Sequence, residues 1–377
     1  MSRLPWSEIS AVVFALSLGA CSGEVGDTGA TGAEGEAGPS GTNGDDGTPG
    51  TAGGDGADGA TGADGADGVN GVDARVADPA DTFMSFAVTN NSGGTHRGVN
   101  VVTLDFDGDA PDGSTVVCTR PAAPPRLDGV DGTDEWGALE SDLTFDVGSG
   151  NNGIAGATLR CLYDDEYIYF FAQWTETTGD GATIGKSAAR KTYTYDGAAW
   201  TRTANEDRAF FAFPIDDDGF AAGGCVSACH GGTMAAPTDK VWDVWHWKAA
   251  RNGPAFTADD KWWDDGTYAG TPNNGRNSDY GMSSYWEPGA SDMPAYMPAT
   301  AMPGGGALAG PVWVWDAVPF DGALAWAADD GFPGLYNRLP TGSRADVAAV
   351  ARWDDIDTWT LEMRRARWTG NGDDVQF

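Results

Sequence analysis

The segment GGCVSACHGG, residues 223–232, sets Cys225, Cys229 and His230 within six positions of a 377-residue chain that has five cysteines and three histidines in all. Two thiols and an imidazole at this spacing have three chemistries open to them. The thiols can oxidise to one another, they can join His230 and a further histidine around zinc, or they can add to the vinyl groups of a haem while the adjacent imidazole takes the iron. A Cys225–Cys229 disulfide asks nothing of His230. A zinc set of Cys225, Cys229, His230 and His246 has suitable ligand types, but neighbouring Cys229 and His230 fit awkwardly around one tetrahedral ion. Covalent haem uses all three residues and is the favoured reading.

In the attachment motif of c-type cytochromes two residues separate the cysteines and a histidine follows the second at once. Here Val226, Ser227 and Ala228 stand between them, which resembles a looser form of that motif and shifts weight onto context. The context is DKVWDVWHWKAARNGP, residues 239–254, which predicts a helix capped by Thr238 or Asp239 and stopped by Asn252-Gly253-Pro254. On a helix Trp242 and His246 share a face at spacing four, with Trp245 and Lys248 close by, so an imidazole would project among indoles. His246 is therefore the first candidate for the distal iron ligand. Met293, Met297 and Met302 of the Pro-rich SDMPAYMPATAMPGG stretch come next, then Lys248. A core tryptophan helix with His246 as a satisfied polar residue is the alternative. His96, in NNSGGTHRG, reads as an exposed loop residue.

The elements that must present these residues come after an unusual N-terminus. Residues 1–20 read as an export signal, with Arg3 ahead of an apolar run from Ile9 to Leu18, too short for the roughly 20 residues that span a bilayer. Leu18-Gly19-Ala20-Cys21 resembles a lipobox, which makes Cys21 the lipidated first residue of the mature chain; an ordinary secretory signal is the alternative. Ser22 after the cysteine suggests an outer-membrane lipoprotein, facing the periplasm or the cell surface. Export to an oxidising compartment suits a Cys118–Cys161 disulfide, since the two lie on different predicted strands; a pair of buried free thiols is the alternative.

From Gly23 to Gly71 glycine stands at every third position without a break. Three polyproline-like chains meeting at an axis that admits no side chain require that period, so residues 21–75 read as a lipid anchor followed by a collagen-like, trimer-forming stalk. Against this, only Pro39 and Pro49 stiffen the tract, and its charges, from Glu24 to Asp67, are all acidic. A solvated flexible spacer is the other reading. The whole chain carries 56 acidic against 22 basic residues, a formal charge of −34, which repels phosphate backbones and excludes nucleic acid as a partner.

Past Val76 the texture changes to alternating apolar runs: VNVVTLDF, STVVCTR, DLTFDV, ATLRCLYDDEYIYFFAQWTE, YTYDGAAWT and RAFFAFPI. Asp-Asp and Asp-Gly mark hairpin turns in two of them. After Ile215 the chain is rich in loops and short helices, and strand signals return in GPVWVWDAV, ADVAAVARW and DTWTLEMRRARW. The expectation for residues 76–377 is one mostly β domain, an antiparallel β-sandwich with a helix- and loop-rich haem-binding insertion.

The segments DEWGALESDLTFDV, ATLRCLYDDEYIYFFAQWTE, EDRAFFAFPI, GGCVSACHGG and DVWHWKAARNGP, in that order, resemble the haem-binding domain of the ethylbenzene dehydrogenase haem subunit, over about residues 130–377. The resemblance implies a β-sandwich that holds one haem and passes electrons, as a subunit beside a molybdenum enzyme. It also implies non-covalent haem with methionine and lysine ligands; the Cys225–Cys229–His230 motif departs from that pattern and fits a covalently attached branch. Family sequences would continue with a closing strand after the stretch that ends at Phe377.

No nucleophile–base pair, phosphate loop or paired catalytic carboxylates stand out, so the expected function is electron carriage and not substrate conversion. The reading is a c-type cytochrome with one covalent haem c, tethered by lipid and stalk and serving redox partner proteins. A collagen-like adhesive lipoprotein with a haem-containing head and an electron-transfer subunit of a molybdenum oxidoreductase are the alternatives.

Overall fold

The computed structural model describes residues 79–377, apart from 90–96, 99–100, 109, 146–153, 155, 178–190, 204–205, 216, 223–235, 237–238, 267–274 and 289–292. The proposed signal, Cys21 and the glycine-periodic tract lie outside the described residues, as do His96, Cys225, Cys229 and His230.

In chain order the strands are β1 (Thr82–Thr89), β2 (Arg97–Gly98), β3 (Val102–Phe106), β4 (Thr115–Thr119), β5 (Ser141–Thr144), β6 (Gly156–Tyr163), β7 (Tyr167–Thr175), β8 (Thr192–Tyr195), β9 (Trp200–Thr203) and β10 (Arg208–Pro214). They continue as β11 (Trp242–Lys248), β12 (Asp259–Trp263), β13 (Arg276–Ser278), β14 (Tyr285–Trp286), β15 (Tyr296–Pro298), β16 (Ala317–Pro319), β17 (Gly331–Pro333), β18 (Tyr336–Asn337), β19 (Ala348–Trp353) and β20 (Thr358–Ala366). Among the described residues helix is confined to one turn, Thr133–Trp136, and to short 3-10 turns.

Thirteen strands form one curled sheet in the order β13-β12-β11-β10-β1-β3-β4-β6-β7-β20-β19, with β2 and β5 beside it. Strand β1 makes the corner. Its first half, Thr82–Met84, pairs with β3, and its second, Ser85–Thr89, pairs with β10, so one strand feeds two packed layers. The curl is drawn together where the Ala258 amide donates to the Val347 carbonyl and the Ala349 amide to that of Phe256, each at 3.0 Å. Most pairings are antiparallel; β3–β4 and β4–β6 are parallel. The β6–β7 and β8–β9 hairpins turn at the acidic dipeptide and the Asp-Gly that announce them in the sequence.

Alternation along each strand sorts side chains between two faces. Phe170 and Trp174 of β7, Phe211 and Phe213 of β10, Trp245 and Trp247 of β11 and Trp359 of β20 point inward and pack as rings between the layers, for example Phe170 on Trp245 at 5.7 Å and Trp247 on Trp359 at 5.1 Å. Each such ring, fully removed from water, contributes about 1.5–3 kcal/mol. Cys118 and Cys161 face each other across the parallel β4–β6 pair and form a disulfide.

Two expectations are corrected here. The segment 239–252 is not a helix: Trp242–Lys248 is strand β11, paired on both sides, and Asn252-Gly253-Pro254 enters a 3-10 turn, Gly253–Ala255, after it. Asp239 takes φ +60° in place of capping a helix. Both faces of β11 are buried, so its apolar residues Trp242, Val244, Trp245 and Trp247 fall on both and lack the alternation that marks a half-buried strand in sequence. The GPVWVWDAV run also departs from a continuous strand. It makes a 3-10 turn, Val314–Asp316, before the short β16, and Trp313 and Trp315 stack at 4.9 Å, closer than the roughly 7 Å between alternate strand residues.

Candidate functional site

The outward face of β11 carries Trp242, Val244, His246 and Lys248; the inward face carries Asp243, Trp245 and Trp247. Trp242 and His246 thus share a face, as a helix would also have had them. Trp245 does not. It lies in the core between the layers, under the Arg365 guanidinium at 4.7 Å, and the expectation that it lines the His246 side is corrected.

Register fixes what surrounds His246. Phe210 of β10 stands directly across on one side and Asp259 of β12 on the other. The Phe210 and His246 rings meet edge to face at 5.8 Å, and Phe210 continues onto Trp263 at 6.0 Å, itself 6.3 Å from Trp242. Trp242 is pinned by its indole N–H, which donates to Asp217 Oδ2 at 2.8 Å. His246 is half-buried in this otherwise buried aromatic strip. Phe220 and Ala236 belong to the same cluster: Phe220 meets Trp242 edge to face at 5.1 Å, and the Ala236 amide donates to the Asp264 carbonyl at 2.7 Å. The chain between these two residues is the one that bears Cys225, Cys229 and His230.

Lys248 is fully buried, and its Nζ donates to Asp259 Oδ2 at 2.5 Å. Burial acts to raise the Asp259 carboxyl, but the charges of Lys248, Lys261 and Arg344 outweigh it and hold the group well below the usual carboxylate range. Asp259 is therefore an ionised carboxylate beside the imidazole-bearing position, with Lys248 committed to it as an ammonium. An amine serving as an iron ligand would have to be neutral and turned away from that pair.

The methionines divide. Met293 and Met302 are exposed, whereas Met297 is buried in a separate cluster with Tyr193, Trp200 and Phe332, formed by the small sheets β17-β8-β9 and β15-β16. Sequence reasoning missed Phe210, Trp263, Asp217 and Asp259. Phe210 and Asp259 were recoverable only through pairing register; the run of alternating aromatics in RAFFAFPI was the one signal that pointed to β10.

On the described side the arrangement suits a flat aromatic group: a half-exposed imidazole, indole and phenyl rings beside it, and both flanks of the cysteine-bearing segment secured on the same face. Comparison with protein families agrees with the fold. The ethylbenzene dehydrogenase family model matches residues 139–377, well over half of the chain. The chain belongs to the ethylbenzene dehydrogenase family. Membership in this family points to a subunit of an oxidoreductase of that kind, and the matched region contains every candidate ligand of the domain. A second model, the collagen triple helix repeat, matches residues 20–79. The comparison with curated proteins gave no match.

Proposed function

We propose that the chain is a c-type cytochrome: an electron-transfer protein in which Cys225 and Cys229 hold one haem c by thioethers, His230 is the proximal ligand and His246 the distal one. The observation that supports it most is that Phe220 and Ala236, the flanks of the cysteine-bearing segment, pack in one cluster with Trp242, on the face from which His246 projects. When bound, the haem supplies a one-electron couple at its iron. The chain's own residues then have defined tasks. His246 would offer a nitrogen to the metal, Phe210, Trp242 and Trp263 would keep water from that side, and Asp217 fixes the Trp242 ring. A histidine pair holds the potential lower than a histidine–methionine pair, because imidazole favours the ferric state.

Denaturing electrophoresis and acid–acetone extraction of the purified full-length protein test the attachment. Haem should stay with the polypeptide, and Cys225→Ala/Cys229→Ala should release it. Extraction of haem from the intact wild-type chain sinks the proposal.

Cys21 is proposed as the lipid anchor of an outer-membrane protein, on the periplasmic or cell-surface side, and the collagen-repeat region as a spacer able to trimerise. Fatty-acid labelling that Cys21→Ala abolishes, and light scattering at raised salt, where screening shortens the repulsion between acidic chains, test these two points. Family membership also favours a second reading, in which this chain passes electrons for a molybdenum-containing catalytic partner. Co-purification of such a partner would separate it from a free-standing carrier.

A further inference from the structure

At one end of the sandwich five aspartates converge from four segments: Asp243 of β11, Asp260 of β12, Asp279 just after β13, and Asp373 and Asp374 beyond β20. Carboxylate oxygens of Asp279, Asp373 and Asp374 all lie within 4.8 Å of one another, and so do those of Asp243, Asp260 and Asp374. Oxygens bound at 2.3–2.6 Å to a common calcium ion stand no more than about 5 Å apart, so the spacing suits one ion.

Arg365, buried between the layers, answers part of this charge. Its Nη1 donates to Asp243 at 2.5 Å and stands 3.7 Å from Asp260 and from Asp374. Among the described residues no salt bridge reaches Asp279, on which the Arg365 charge acts more weakly than those of Asp373, Asp374 and Asp243. Asp279 is 4 % exposed and Asp260 fully buried, yet among the described residues neither carboxylate accepts a hydrogen bond on either oxygen. A buried carboxylate normally has its lone pairs occupied, and leaving it bare costs more than removing it. Among the described residues, these five acidic side chains face one guanidinium.

We propose that Asp279, Asp373 and Asp374 form a calcium site that ties the C-terminal segment to the β12–β13 edge of the sheet. The donor set is oxygen only, which favours a hard cation over zinc or copper. Calcium tolerates several carboxylates and irregular geometry, whereas magnesium demands an octahedron and keeps its waters. Asp373 is only half-buried and offers the ion a way in and room for water ligands. Arg365 remains the partner of Asp243 and Asp260, so the ion and the guanidinium divide the cluster between them. The alternative compensation is protons: burial, with the charges of Asp373 and Asp374, pushes Asp279 up to about 8 in the absence of an ion.

The test is thermal unfolding of the full-length protein, followed by the circular dichroism of its β-domain after chelator treatment. Acidic residues of the glycine-periodic tract can also attract cations, and the aspartate variants, which leave that tract unchanged, separate the two sources. Calcium at a hundredfold excess over its dissociation constant should raise Tm by roughly 5 °C or more, reversibly with chelator. The near-isosteric Asp279→Asn and Asp373→Asn variants should each lose the shift; Asp373, being half-exposed, provides the readout if Asp279→Asn fails to fold. A wild-type Tm indifferent to calcium, or variants that keep the full shift, overturns the site in favour of shared protons. An equal response to magnesium overturns the assignment to calcium.

Discussion

Trp245 and His246 are neighbours in the chain and stand on opposite faces of β11, the indole packed between the two layers and the imidazole on the outward aromatic strip. That division separates the residue that holds the fold together from the residue proposed to hold the iron, and substitutions at the two positions should have separable effects.

His246→Ala should leave haem attached, since the thioethers do not depend on it. The iron should turn from six-coordinate and low-spin to a high-spin or water-ligated form that binds carbon monoxide readily. The visible spectrum of the oxidised and reduced variant measures this. An unchanged low-spin spectrum moves the distal ligand elsewhere and directs the same substitution to Met293, Met297 and Met302.

Trp245→Ala empties a site lined by Phe170, Phe213 and Phe377 and should cost about 3–5 kcal/mol in urea unfolding while leaving the spectrum of any folded holoprotein alone. Trp242→Ala should instead alter the spectrum or its carbon monoxide response, because that ring lies on the His246 face. The reverse pattern would mean that the inward face of β11 lines the haem.

Lys248→Met leaves the Asp259 carboxylate buried with, among the described residues, Arg344, 3.6 Å away, and Lys261 to offset it. Breaking a buried pair in this way typically costs about 3–5 kcal/mol, and the remaining cations should keep the loss near the lower figure. The low-spin spectrum should persist. Its loss together with retained stability would identify Lys248 as an iron ligand.

Glu176 is buried beside Asp207, each accepting an indole N–H, from Trp174 at 3.1 Å and Trp359 at 3.2 Å. Burial first, then the Asp207 charge, pushes the Glu176 carboxyl up to about 8 from an ordinary 4.5. A raised carboxyl stabilises the fold while it is protonated. Its contribution is complete below about 4.5, falls as pH rises, and is gone above about 8, with a slope of at most about 1.4 kcal/mol per pH unit. Glu176→Gln should flatten the pH dependence of urea unfolding within that window; an unchanged slope would assign it to other groups.

Much of the fold was legible in the sequence because it rests on local rules. Period-two alternation marks β3, β6, β7, β10, β19 and β20, and short acidic or Asp-Gly turns mark the hairpins, each within a dozen residues. The glycine period of residues 23–71 is likewise a property of the chain alone, since no side chain but hydrogen fits a triple-helix axis. Cys225, Cys229 and His230 are brought together by sequence alone, which makes them candidates for disulfide, zinc or haem chemistry whatever element carries them.

What the tertiary structure decided is which face each residue of DVWHWK takes. A spacing of four returns to the same side in a helix and in a strand, so the Trp242–His246 pairing survives either reading. A spacing of three does not: Trp245 lies on the Trp242 side of a helix and opposes Trp242, and with it His246, on a strand. Local propensity could not choose, because β11 is buried on both faces, so its tryptophans fall on both and no period-two pattern marks it as a strand. The choice was made by β10 and β12, whose Phe210 and Asp259 register against His246 and supply the hydrogen-bonding partners that a strand, unlike a helix, must find elsewhere in the chain. The same dependence on distant partners hid the aspartate cluster: Asp243 and Asp374 are 131 positions apart in sequence, and only the packing of β20 and its following segment against the β11–β12 edge brings their carboxylates together.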